Sequence, residues 1–171
     1  SILIRRESKE LPANYLLKDL ENQNEVQLTH FKHPFPDLAL VQKQLIEYER
    51  KDGVKLNATL YLPPKYKKED GPLPTIFWAY PREFKNPKAA GQVKGSPHSF
   101  VRISVWSPLI FVTQGYAVVD HPAMPIIGED NHEPNDTFVE QLVDSAQAAV
   151  DKLIEKGVSD PDKLAIGGHS Y

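Results

Sequence analysis

The chain has no cysteine, which excludes disulfides, thiolate metal sites and a cysteine nucleophile. It also lacks a dominant charge. Lysine and arginine total 20 against 23 acidic residues, a net charge of -3. Neither nucleic acid nor an anionic membrane is expected as a partner on that balance. No apolar run approaches the ~18 residues that span a bilayer, and no signal-peptide pattern opens the chain. The 6 histidines are scattered, without thiols or His-x3-His spacing, so no metal site is expected, and no cofactor is called for. The one methionine is Met124 and the first residue is Ser1. With the abrupt stop after Tyr171, the chain reads as a piece cut at both ends, and its compartment stays unknown. What is present is ordinary for a folded domain: 171 residues, 40% apolar and 25% charged. That length allows one domain, or a domain with part of another.

The first forty residues read as antiparallel β structure. Short apolar runs at Ile2-Leu3-Ile4, Tyr15-Leu16-Leu17 and Val26-Gln27-Leu28 are separated by polar turns. Such spacing fits one blade of a propeller or the edge of a sandwich. Residues 31–37 carry Pro34 and Pro36 and read as a linker. A hairpin follows, with strands near 45–49 and 56–62 around the turn Asp52-Gly53. Residues 65–70 read as a solvated loop.

From residue 73 the pattern changes. Residues 74–81 form a continuous apolar run, which predicts a strand buried on both faces. Residues 82–100 read as an irregular insertion. Ser107-Pro108 supplies a helix cap and first turn, and Gly115 a stop. Residues 116–120 are the next buried strand, followed by breakers at Pro122, Pro125 and Gly128 and an acidic loop at 129–136. Thr137 and Glu140 fit a capping box. Behind them Phe138, Val139, Leu142, Val143, Ala146, Ala149, Val150, Leu153 and Ile154 make one wide apolar stripe, closed by Gly157. Asp160-Pro161 turns into a last short buried strand at 163–167. Strand, helix, strand, helix, strand predicts a parallel sheet with helices on its faces.

That last strand runs straight into Gly168-His169-Ser170-Tyr171. A buried strand breaking into a tight Gly-x-Ser turn is how α/β-hydrolases present a serine nucleophile, held in a strained backbone conformation. Ser170 is the candidate nucleophile. Its base and orienting acid follow it in this architecture, in the order Ser, Asp or Glu, His, so neither lies in this chain. His121 and His132 precede the serine and read as loop histidines. The oxyanion hole needs two donors. One is the backbone N–H of Tyr171. The other comes from the loop after the first parallel strand, which opens Tyr80-Pro81-Arg82. Pro81 has no N–H, so the Tyr80 hydroxyl could serve; Tyr80 could equally be a strand-end aromatic in the core.

Four blocks carry a family resemblance: residues 78–83 (Trp78-Ala79-Tyr80-Pro81-Arg82-Glu83), residues 122–129, residues 138–142 and residues 167–171. The middle two are more specific than the serine motif. The chain resembles the prolyl oligopeptidase group of serine peptidases, most closely its glutamyl endopeptidase branch. The resemblance implies that residues 1–40 are the last blade of a β-propeller with its linker. Residues 41–171 are then the N-terminal half of an α/β-hydrolase domain with a mostly parallel sheet. It implies Ser170 as acylating nucleophile, Tyr80 as side-chain oxyanion donor and peptides as substrates. Glutamyl preference would need a cation, with Arg82 the first candidate and Arg102 the second. The loop 129–136 would suit a substrate amino terminus or simply be solvated. An esterase or lipase of the same fold, or a non-catalytic binding protein that kept the fold, are the alternatives. The piece alone is expected to be inactive.

Overall fold

The computed structural model describes residues 1–92, 95–128 and 133–170. Strands β1 (Ile2–Arg6), β2 (Asn14–Lys18) and β3 (Glu25–Gln27) form an antiparallel sheet in the order β1-β2-β3. Leu16 is buried in it, while Leu3, Leu17 and Val26 stay exposed. Between this sheet and the rest, the expected linker winds into one helical turn, α1 (Pro36–Ala39), which buries Leu38.

The main sheet begins with the hairpin β4 (Gln42–Glu49) and β5 (Lys55–Leu62). Its turn is the expected Asp-Gly: Gly53 has φ +85° and Arg50 N donates to Val54 O. Strand β6 (Leu73–Ala79) follows, then β7 (Arg82–Phe84) and α2 (Pro87–Ala90). A 3₁₀ helix at Pro108–Gln114 precedes β8 (Ala117–Asp120) and β9 (Pro125–Ile127). A second 3₁₀ turn at Pro134–Thr137 leads into α3 (Phe138–Glu155), and β10 (Ser159–Gly168) ends the fold. The sheet order is β10-β6-β8-β5-β4. Its β10-β6 and β6-β8 pairings are parallel, and β8-β5 and β5-β4 are antiparallel, so the sheet is mixed.

Alternation across β8 splits the core. Val119 joins Leu56, Leu60, Phe77, Ala149 and Leu153 in the cluster under α3. Val118 joins Leu38, Tyr61, Val101, Leu109 and Val112 under the 3₁₀ helix. The two helical layers thus cover opposite faces, as right-handed crossovers require.

Several expectations change in detail. The helix after Ser107 is 3₁₀ rather than α, although Ser107 Oγ accepts from Leu109 N and Gly115 ends it at φ +88°. Residues 82–100 are not merely irregular, since β7 pairs in parallel with β9. The Thr137 capping box does not form; the Thr137 hydroxyl oxygen accepts from Gln141 Nε2. The apolar stripe of α3 is only partly covered. Ala149 and Leu153 are buried, whereas Val139 and Val143 are mostly exposed. Nor are β6 and β10 fully buried. In β6 every second residue is half-open, and β10 is exposed along most of its length. The reason for β10 is position: among the described residues it is paired only with β6. Its register slips between Ser159 and Leu164, where Pro161 has no N–H for the ladder. Among the described residues no helix is long and apolar enough to cross a membrane.

Candidate active site

The parallel pairing of β6 with β10 decides what can meet. Gly168 pairs with Ala79, so both strands end side by side at the same end of the sheet. Tyr80 follows Ala79 by one residue, and Ser170 follows Gly168 by two. Ser170 is exposed and has φ +65°, in the left-handed region that a non-glycine residue enters only under constraint. The constraint is close at hand. A Cβ placed on Gly168 would sit 2.4 Å from the carbonyl oxygen of Ala79, and one on Gly167 would sit 2.9 Å from the Trp78 ring. Two successive glycines let β10 press against β6 just before the turn.

Beside this turn lies a cleft of about 970 Å³ whose walls include Tyr80, Arg82, Arg102, Trp106, His121 and His169. Trp106 stacks on His169, the residue preceding the serine, with ring centroids 4.0 Å apart. Tyr80 is 41% exposed rather than packed in the core, so its hydroxyl is not consumed by burial. The Arg82 guanidinium lies over the Tyr80 ring at 5.9 Å. Arg102 instead reaches back to the N-terminal sheet, where its Nη2 stands 3.7 Å from Glu7 Oε2. A second cavity, of about 440 Å³, shares Tyr80, Arg82 and Arg102 with the cleft and adds Lys43. Lys43 Nζ donates to Ser99 Oγ at 2.6 Å, and partial burial lowers its pKa.

His121 is a loop histidine, as expected, with a mostly exposed side chain. It too has a positive φ, +50°, and its Nδ1 stands 3.0 Å from Asp120 Oδ1. The Asp120 carboxylate, itself nearly buried at the end of β8, raises the His121 pKa above its ordinary value. The Tyr171 amide, His132 and residues 129–132 of the acidic loop lie outside the described residues. Among the described residues no group of three or more His, Cys, Asp or Glu side chains is placed to hold a metal.

Comparison with known proteins places this geometry. The sequence model of the X-Pro dipeptidyl-peptidase (S15) family matches residues 52–171. The chain belongs to that peptidase family. A probable chloroplastic glutamyl endopeptidase of Oryza sativa subsp. japonica is 52% identical over 99% of this chain and 18% of its own length. The chain therefore spans about a fifth of the curated relatives it matches, the Arabidopsis thaliana counterpart included. Among solved structures, the AtxE2 isopeptidase superposes with a TM-score of 0.62 at 20% identity, over 98% of this chain and 25% of that one. A post-proline cleaving enzyme from Rickettsia typhi gives 0.60 at 23% identity, over 98% of this chain and 23% of that one. The matching family model is that of X-Pro dipeptidyl-peptidases, while the curated relatives are glutamyl endopeptidases and prolyl endopeptidases recur among the structural neighbours. The resemblance to prolyl oligopeptidases and their glutamyl branch holds, and the fold is theirs.

One set of residues escaped the sequence reading. Arg50 is 3% exposed, and Gln141, on the first turns of α3, bonds both backbone groups of Ile127. Gln141 lay inside a block that carried the resemblance, yet nothing in its spacing announced a tertiary contact.

Proposed function

We propose that the full-length protein is a serine peptidase that cleaves peptide bonds through an acyl-enzyme on Ser170. Ser170 Oγ attacks the substrate carbonyl carbon while its proton passes to a histidine. That histidine and its orienting acid are supplied by chain beyond residue 171. The Tyr80 hydroxyl and the Tyr171 amide donate to the tetrahedral oxyanion. Collapse of the intermediate expels the amine, which takes up the proton, and water then releases the acid by the same route in reverse. The observation that carries this reading is Ser170 at φ +65°, exposed behind a glycine pressed onto β6, at the sheet end that also presents Tyr80.

Residues 1–40 are read as the end of a propeller with its linker and residues 41–171 as the start of the hydrolase domain. The three-stranded antiparallel sheet supports this, and it favours a peptidase over an esterase of the same fold. Substrates with an acidic side chain beside the scissile bond are read as preferred, with Arg82 as the cation. Arg82 stands on Tyr80 at the cleft wall, while Arg102 is already engaged with Glu7. The relative's name, glutamyl endopeptidase, supports that preference. The piece described alone, without base or acid, is expected to be inactive.

A fluorophosphonate probe on the full-length protein tests the nucleophile. Labelling is expected in the wild type and absent in Ser170→Ala. Labelling that survives the substitution removes Ser170 from the mechanism.

A further inference from the structure

The strand pair β7–β9 stands apart from the main sheet, yet β7 begins two residues after Tyr80 and carries Arg82. What holds this pair in place therefore bears on the cleft. One edge of β9 faces β7: Arg82 N donates to Met124 O, and Gly128 N donates to Phe84 O. Among the described residues no strand lies beside the other edge. Two side chains take that role. Gln141 Oε1 accepts from Ile127 N at 2.9 Å, and Gln141 Nε2 donates to Ile127 O at 3.0 Å. Two residues earlier, Arg50 Nη1 donates to Pro125 O at 3.1 Å. Pro125 has no N–H, so every outward backbone group of β9 at 125 and 127 is met.

The two side chains are themselves locked. Gln141 Oε1 also accepts from Arg50 Nη2, and its Nε2 also donates to Thr137 Oγ1, which uses all four hydrogen-bonding positions of the amide. Arg50 is buried, forks onto Asp52 through Nε and Nη2, and gives Nη1 also to Ser145 Oγ, itself buried. The Arg50 guanidinium in turn lowers the Asp52 pKa. A half-buried amide with its four sites filled is held in one orientation, since turning it over would set donor against donor and acceptor against acceptor. The tether thus joins the β4–β5 turn, α3 and β9 into one rigid unit. It accounts for the two sequence blocks, 122–129 and 138–142, to which the catalytic serine gave no role.

We propose that Arg50 and Gln141 are positioning residues, which fix β9, and through it β7, so that Tyr80 and Arg82 face the substrate. The proposal rests on the reading of Tyr80 as oxyanion donor. Its test separates the two, in the full-length enzyme with a fluorogenic peptide amide that has no acidic side chain and so makes no use of Arg82. Gln141→Leu is expected to speed hydrogen exchange at the Ile127, Arg82 and Gly128 amides, while the amides of Val118 and Val119 in β8 keep their wild-type rates. Because a misplacement of about 1 Å costs ~10²-fold in rate, kcat should fall about 10- to 100-fold with little change in KM. Combined with Tyr80→Phe, it should lower kcat no further than Tyr80→Phe alone, since both act on one donor. Gln141→Glu keeps the Ile127 N–H bond and sets a carboxylate against Ile127 O. It should show the same pattern more weakly, and it serves if the leucine variant does not fold. Unchanged exchange at Arg82 and Gly128, faster exchange with wild-type kcat, or additive losses in the double variant would each overturn the proposal. A wild-type kcat in Tyr80→Phe alone would instead strike the oxyanion reading, leaving exchange to decide the tether.

Discussion

Consider the replacement Gly168→Ala. The new methyl would lie 2.4 Å from the Ala79 carbonyl oxygen, a backbone atom in the neighbouring strand. An ordinary carbon–oxygen contact is more than half an ångström longer, so β10 and β6 must part by roughly 1 Å at this rung. Overpacking in a closed core costs typically ~1–3 kcal/mol. Here the strain is relieved by a shift of β10 away from β6, its partner at this rung. The movement that saves stability is the one that harms function. Ser170 is two residues on and moves with the strand, away from the end of β6 that carries Tyr80. A displacement of about 1 Å in a reacting group is worth ~10²-fold in rate. The expected result in the full-length enzyme is a melting temperature within a few degrees of wild type. Peptide turnover and fluorophosphonate labelling should both be slowed by about two orders of magnitude. Gly167→Ala is the matched control: its methyl would meet the Trp78 ring at 2.9 Å, a side chain with room to shift, so its loss should be smaller. A folded Gly168→Ala enzyme that labels at the wild-type rate would refute the idea that close strand contact aims the serine.

Arg82→Gln should cut kcat/KM for peptides with a glutamyl side chain by about 10- to 100-fold, the worth of one hydrogen bond to a charged group, and leave neutral peptides nearly unchanged. Equal losses on both substrates would place Arg82 outside the specificity site. The His121 ring should titrate above 6.5 by NMR, and Asp120→Asn should bring it down. Since the folded pKa is raised, the associated stabilisation is complete below 6.5 and lost as pH rises through the folded value. The side chain is 74% exposed, so solvent screens the effect and the melting temperature should change little over that range. A His121 pKa at or below 6.5 would contradict the pairing.

Much of the fold was legible because local chemistry dictates it. Asp52-Gly53 demanded a tight turn and Gly115 a left-handed stop, and both glycines have positive φ. Continuous apolar runs marked β6 and β8, and the strand–helix alternation predicted the parallel sheet in which β6 pairs with both β8 and β10. The serine turn was legible too, since Gly168 is needed wherever two backbones close to such a distance. What escaped depends on partners far away in sequence. Nothing local makes Pro125-Ile126-Ile127 a strand. It becomes one by pairing with β7, while on its other edge Arg50, 75 residues earlier, and Gln141, 14 residues later, supply the bonds a second strand would give. The same amide takes the Thr137 hydroxyl that a local rule assigned to capping. β10 is exposed because, among the described residues, only β6 pairs with it, and an apolar strand looks the same in sequence at an edge as in the middle of a sheet.

These two classes of contact meet at the proposed second oxyanion donor. In the loop after β6 a backbone N–H is the usual donor, but two of the candidates there are excluded for separate reasons. Pro81 has none, by its covalent structure. Arg82 has one, but it is already given to Met124 O at 3.2 Å as part of the β7–β9 pairing. Within Tyr80-Pro81-Arg82, Tyr80 stands at the cleft wall and can offer its hydroxyl. The pairing that removes Arg82 from consideration is the pairing that Arg50 and Gln141 hold in place. A change that loosens β9 would therefore do two things at once: release a backbone N–H in the wrong position and unfix the tyrosine in the right one. If Tyr80 is the donor, as proposed, simple relaxation would not exchange it for the backbone donor, and the tether and the tyrosine should fail together.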